Sequence, residues 1–247
     1  MRSAMRAVIF VGPTLPPRQR PAGETLWDWR PPLRQGELYR AAQEGPAAIG
    51  VVDGYFEVVP TVWHKEILWA MAAGIHVFGA ASIGALRAAE LAPFGMRGVG
   101  RVFEDFRDRV LEDDDEVAVL HGPEELGYPP VSDAMVDIRA TLAAALGSGI
   151  LSADIAARLA ATAKALFYKE RSWEAVLREA AAAGLPAATL AAFARWLPAG
   201  RVDQKRRDAT AMLDAIRAHL ATRPAPLRVT YELADTAAWQ AARRNGQ

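Results

Sequence analysis

The pattern that most limits this chain is a repeated change of hydrophobic period. The runs "AVIFVG" (7–12), "AAIGVVDG" (47–54) and "IHVFG" (75–79) are continuous, β-branched and closed by glycine, so they read as strands buried on both faces. Stretches of helical length alternate with them: "ELYRAAQEG" (37–45), "TVWHKEILWAMAAG" (61–74), with Thr61 as N-cap and Gly74 past its end, and "IGALRAAEL" (83–91). Continuous apolar strands separated by helices specify parallel βαβ units rather than hairpins. A further strand is expected at "EVAVLHG" (116–122), fed by the acidic turn "EDDDE". The Pro/Arg/Trp-rich stretch from Thr14 to Gly36 reads as a long irregular loop placed to close over a site.

Beyond about residue 131 alanine dominates and helical patterns recur over 132–147, 152–168, 172–183, 187–196 and 203–221, with Ser132, Ser152 and Ser172 as N-caps. The tail after residue 224 is expected to add one strand and one helix. The fold class is therefore α/β: a parallel sheet with flanking helices in the N-terminal half, followed by an Ala-rich all-helical C-terminal region. The division falls between 1–130 and 131–247.

Lys plus Arg and Asp plus Glu both number 29, so no global charge draws the chain to nucleic acid or to an acidic membrane surface. The absence of cysteine excludes disulfides, thiolate catalysis and zinc–thiolate sites. The apolar run from Ala7 to Val11 is too short for a signal peptide, and no stretch reaches the length of a membrane span, so a soluble cytoplasmic protein is expected. Homo-oligomerisation is left open. No cofactor is expected, because neither a Walker loop nor a dinucleotide fingerprint occurs. No metal is expected either. His64-Lys65-Glu66 lacks the second histidine of a zincin, and the run Glu112 to Glu116 lacks the spacing of a calcium loop and reads as a solvated acidic turn.

In a parallel sheet, ligands bind beyond the carboxyl ends of the strands. Three such ends carry chemistry here: Gly12 to Thr14, Asp53-Gly54, and Ser82. Ser82 lies between a strand and a helix, with the small residues Ala80 and Gly84 two positions to either side, the steric arrangement of a nucleophile elbow. On spacing alone a helix N-cap is the commoner role of a serine at such a turn. Helical spacing puts His64 on one stripe with Ile67, Leu68 and Met71, facing the interior, as a proton shuttle or as a core histidine. Asp53 is placed to orient His64, to bind a ligand hydroxyl or to form an Asx turn, and Glu57 is an alternative partner. Arg87 either pairs with Glu90 one turn away or attracts an anionic substrate.

The strings "VIFVGPTLPP", "AAIGVVDGYFEVVPTVWHKEILWAMAAGIHVFGAASIGALRAAELAPFGMRGVG" and "EDDDEVAVLHGP", in that order, resemble the TfuA-like protein family over residues 8 to 123. "VDQKRRDA" (202–209) resembles a family feature as well. The resemblance implies a role in sulfur chemistry on peptides. Proteins of this family accompany YcaO enzymes, which install thioamides in ribosomally made peptides, and are associated with releasing sulfide from a ThiS-like sulfur-carrier protein that ends in a thiocarboxylated glycine. On that reading Ser82, His64 and Asp53 are the catalytic candidates. Arg87, Thr14, Gly12, Gly54, Glu57 and Gly84 are the substrate-binding candidates. A non-catalytic adaptor and a general serine hydrolase are the alternatives.

Overall fold

A computed structural model describes residues 6–55 and 59–245. The chain forms two compact units, one of Met1–Glu112 with Arg206–Gln247 and the other of Asp113–Lys205. The strands β1 (Ala7–Phe10), β2 (Trp27–Arg30), β3 (Ala48–Val51), β4 (His76–Ala80) and β5 (Arg97–Val99) form one sheet in the order β2-β1-β3-β4-β5. Every pair in it is parallel, with Ala7 opposite both Trp27 and Ala48. The order reverses direction between β1 and β3, so the crevice of this doubly wound sheet opens beyond Phe10 and Val51. No described helix is long and apolar enough to cross a membrane.

Both faces of the sheet are buried, which explains the unbroken apolar runs. On one face α2 (His64–Ala72) and α3 (Ile83–Leu91) pack against β3 and β4, while α1 (Glu37–Gln43) packs on α2. The connection from β1 to β2 holds only a 3-10 turn at Pro17–Gln19, so it supplies no helix for the other face. That face is covered from far along the chain by α9 (Gln204–Ala221). Ala209, Met212, Leu213, Ile216 and Leu220 of α9 join Ala7, Ile9, Ala48, Phe78 and Ala80 in one core cluster. Gly50 makes room for it: a Cβ there would lie 2.8 Å from Ile9 Cδ1 and 2.9 Å from Met212 Cε.

Two joints in this unit are made by single buried carboxylates. Glu66, at the third position of α2, accepts from the Trp63 N–H at 3.1 Å, reaching back over its own helix N-terminus. Its other oxygen accepts from Gly36 N–H at 2.9 Å and Tyr39 N–H at 3.4 Å at the start of α1. Burial pushes its carboxyl up, opposed by those backbone donors. Asp208 of α9 accepts from Val102 N–H at 2.8 Å and so caps α4 (Arg101–Arg107), whose own N-cap position is Gly100.

The second unit is helical, with α5 (Met135–Gly147), α6 (Ala153–Ala165), α7 (Trp173–Ala182) and α8 (Ala187–Gly200). Their apolar stripes, among them Ile138, Leu142 and Ala145, Ile155 and Leu159, Val176 and Ala180, and Phe193 and Leu197, close on one core. Ser152 and Ser172 cap α6 and α7 as expected. Ser132 does not cap α5, whose N-cap is Ala134; its hydroxyl accepts from Leu120 N–H at 2.8 Å instead.

The acidic run is a turn with Glu112, Asp113 and Asp114 exposed as expected, but Asp115 and Glu116 are drawn inward by ion pairs. Lys164 Nζ lies among Asp113, Asp115 and Glu116, 3.1 Å from Asp113 and from Glu116, and Arg139 grips Glu116 at 2.9 Å. Arg171, with no exposed surface, donates to the carbonyls of Ala163, Leu166 and Asp115 and to Asp115 Oδ2 at 2.7 Å. Burial raises the Asp115 carboxyl, but the hydrogen bonds and charges of Lys164 and Arg171 outweigh it and hold it below the usual aspartate range. These three carboxylates are the described group with metal-ligand spacing, and the chain's own ammonium stands among them.

Other expectations are corrected. The stretch 116–122 is a 3-10 turn at Asp114–Glu116 followed by irregular chain with an isolated antiparallel bridge from His121 to Pro130. The Pro/Trp-rich loop contains edge strand β2, so trimming it would remove part of the sheet rather than a separate lid. Thr61 is not the cap of α2, which starts at His64 after Trp63. The tail forms no strand among the described residues and ends in α10 (Ala237–Asn245).

Two measurements test this account. A Cβ on Gly84 would fall 1.8 Å from the Val51 carbonyl oxygen, so Gly84→Ala should lower the unfolding free energy by about 3 kcal/mol or more in chemical denaturation. Asp137 accepts from Lys205 N–H at 3.0 Å, and burial, with the nearby Asp203 charge, pushes its carboxyl up to about 7. The folded chain then binds a proton that the unfolded chain has released, so this group's contribution falls as pH rises from about 4 through 7. Asp137→Asn keeps an acceptor and removes the charge. Its melting temperature should gain on wild type as pH rises from 5 to 8.

Candidate functional site

The end of β4 is tightly shaped. Gly79 and Gly84 let the first turn of α3 lie directly on the strands, since a Cβ on Gly79 would be 2.1 Å from the Gly84 carbonyl oxygen. The Gly84 N–H donates to Val52 O at 3.2 Å. To join a strand to a helix this close, the chain reverses within three residues. Ser82 N–H donates to Ala80 O at 2.8 Å, closing a γ-turn around Ala81, whose φ is 69°. That conformation costs a non-glycine residue about 1–2 kcal/mol and survives where packing over-determines it; Ala81 is fully buried.

Ser82 follows at the N-cap position of α3, 8% exposed, yet its side chain makes no capping hydrogen bond. Ala85 N–H bonds the Ser82 carbonyl at 2.9 Å and Gly84 N–H bonds Val52, while the Ile83 N–H has no acceptor among the described residues. The hydroxyl of a largely buried serine and an amide with no described acceptor thus sit together at the positive end of a helix.

Asp53 is committed elsewhere. Its Oδ2 accepts from Gly12 N–H at 2.9 Å and Thr14 N–H at 3.0 Å, and its Oδ1 accepts from the Thr14 hydroxyl at 2.6 Å. The carboxylate therefore fills the concavity after β1, and Asp53 and Thr14 are both buried. Gly54 links this cluster to the serine, because a Cβ there would lie 3.0 Å from Ile83 Cγ2. Gly12, Thr14, Asp53, Gly54, Ser82 and Gly84 accordingly share one edge of the sheet.

His64 and Arg87 form a second group. The His64 side chain is 48% exposed rather than facing the interior, and its Nε2 lies 2.7 Å from Glu90 Oε2. The physical reason is position: the apolar stripe meets the core only at Ile67 and Met71, past the first turn of α2. Arg87 Nη1 donates to the same Glu90 oxygen at 2.7 Å, while its buried Nε has no partner. Glu90 lies at the far end of α3, a rise of about 12 Å from Ser82. Among the described residues no hydrogen bond joins His64 to Asp53 or Ser82. Glu57 lies outside the described residues.

Reading the sequence missed Ala81 and the Ile83 N–H, since neither side chain carries chemistry. It also missed Glu66, although a glutamate three residues after a helix start was a visible signal. No curated protein sequence matches the chain. The model of the TfuA-like protein family matches residues 53–172, a stretch that takes in Asp53, Ser82 and the Asp115 cluster, and over it the chain is similar to that family.

Proposed function

We propose that this protein supplies sulfur for YcaO-dependent thioamidation of peptide backbones by hydrolysing the thiocarboxylated C-terminus of a ThiS-like carrier protein. The observation that carries this reading is the Ser82 hydroxyl: it stands at the N-terminus of α3, free of any capping bond, beside the open Ile83 N–H. Similarity to the TfuA-like family over residues 53–172 supports a role associated with thioamidation, and the carrier thiocarboxylate as substrate is part of this proposal.

A thiocarboxylate is anionic and a poor electrophile, so its attack needs a donor aimed at the developing oxyanion. The Ile83 N–H and the α3 dipole provide it. Ser82 Oγ bonds to the carbonyl carbon, and its proton goes to the sulfur, whose basicity rises as the carbon becomes tetrahedral. The carbon–sulfur bond breaks, releasing HS⁻ and leaving an ester on Ser82. Water then cleaves the ester to a carboxylate and a proton and restores the hydroxyl. This route asks no imidazole to touch Ser82, in keeping with His64 being paired to Glu90. Asp53 and Arg87 touch no reacting atom on this route: Asp53 holds the β1 loop, and Arg87 holds Glu90.

One observation favours an adaptor that brings the carrier to the YcaO enzyme without cleaving it: among the described residues no side-chain base is bonded to Ser82. The decisive assay is sulfide release from thiocarboxylated carrier, with the carrier's mass confirming conversion to carboxylate. Ser82→Ala should fold normally, since the hydroxyl holds nothing, and should slow release by about 100-fold or more. His64→Gln should leave it nearly unchanged. No release by wild type would make the protein an adaptor.

A further inference from the structure

The first unit holds a half-open cavity of about 590 Å³ where α1 and α2 begin, with α10 forming its remaining wall. Tyr39, Trp63 and Trp239 give it aromatic surface, and Arg34, Arg40 and Arg243 give it positive charge. Trp239 is packed edge-on to Tyr39 at 5.4 Å and is nearly buried, whereas Trp63 leaves 38% of its surface open. The lining carboxylate, Glu66, has both oxygens engaged by the backbone N–H groups of two helix starts. Its negative charge is therefore largely answered before any ligand arrives.

The arginines differ in commitment. Arg243 pairs with Asp235 at 3.1 Å, and Arg34 lies over the Tyr55 ring at 4.5 Å. The Arg40 side chain makes no hydrogen bond or ion pair among the described residues, and its charge acts on the Glu66 carboxylate nearby. In a chain of zero formal charge, this concavity concentrates guanidinium and indole together. A guanidinium fork matches phosphate or carboxylate oxygens, and an open indole face matches a flat ring. An aliphatic anion would leave the indole in water, and a neutral aromatic would leave the Arg40 guanidinium unanswered. The volume suits a ligand of nucleotide size.

We propose that this cavity binds a nucleoside phosphate, with the phosphate on Arg40 and Arg34 and the base against Trp63. The chain has no glycine-rich phosphate loop, so side chains hold the phosphate, and binding without hydrolysis is expected. Among the described residues lining the cavity, Gln35 carries the one uncharged amide side chain. Base edges are thus read weakly, and purines of either kind should bind alike. The inference is independent of the chemistry at Ser82.

Calorimetric titration of the full chain with AMP, GMP, adenosine and inorganic phosphate tests it. AMP and GMP should bind with Kd on the order of 10 µM, and adenosine and phosphate at least about 10-fold more weakly each. Arg40→Gln and Trp63→Leu alter exposed side chains and should each weaken AMP binding about 10-fold or more, with circular dichroism unchanged. Ser82→Ala should bind AMP like wild type, which separates this site from the hydrolase reading. An AMP Kd above about 1 mM would overturn the proposal, as would affinity indifferent to both variants. A peptide ending in a free carboxylate that displaced AMP and bound more tightly would assign the cavity to a chain terminus instead.

Discussion

The contact of backbone on backbone between the first turn of α3 and the strands beneath it sets the geometry of the sheet edge. Glycine at 79 and 84 removes the two Cβ atoms that would hold the helix away. With the helix seated so low, the chain between strand and helix has no length to spare, and Ala81 is driven into the left-handed region. That turn in turn aims Ser82 and the Ile83 amide out of the end of the sheet. The strain is offset by burial, since Ala81, Ala85 and Ala88 are all removed from water. A site built this way is preorganised by packing rather than by a network of side-chain hydrogen bonds.

A second principle recurs in both units. At several element starts a carboxylate from elsewhere in the chain accepts backbone N–H bonds, behind a glycine at α1 and α4 and beside a serine cap at α7. Glu66 serves α1 behind Gly36, Asp208 serves α4 behind Gly100, Asp137 serves the start of α9, and Asp133 accepts from Trp173 N–H at 3.1 Å at the start of α7. Asp53 does the same for the loop after β1. Each link neutralises open N–H groups and ties together segments distant in sequence, so the acidic residues act as tertiary fasteners.

Much of the fold was legible because burial on both faces leaves an unmistakable run of apolar residues in β1, β3 and β4, and because the serine-capped helices α6 and α7 announce their own starts. Strand β2 was hidden by its neighbours: "WDWR" has charged residues at alternate positions, as an edge strand allows, and lies among prolines that suggest irregular chain. Strand β5, "RGV", is too short to show a period. The apolar stretch at 116–122 has strand composition, but the ion pairs around Asp115 and Glu116 bend it into a turn first. At the sheet edge, the gathering of Gly12, Asp53 and Ser82 followed from strand order alone. The partners of each side chain did not. Whether Asp53 would face His64 or the Thr14 hydroxyl depends on loop conformation, which has no periodic signature.

Covering one face of the sheet with α9 also orders events in time. The cluster joins Ala7 and Ile9 to Met212 and Ile216, segments about 200 residues apart. At ribosomal rates of ~5–20 residues per second, β1 is made some ~10–40 s before the helix that will cover it. During that interval the nascent sheet shows Ile9, Trp27 and Phe78 to solvent on an apolar face that no nearby connection can shield. The native sheet is therefore a late product of synthesis, completed only once α9 has emerged.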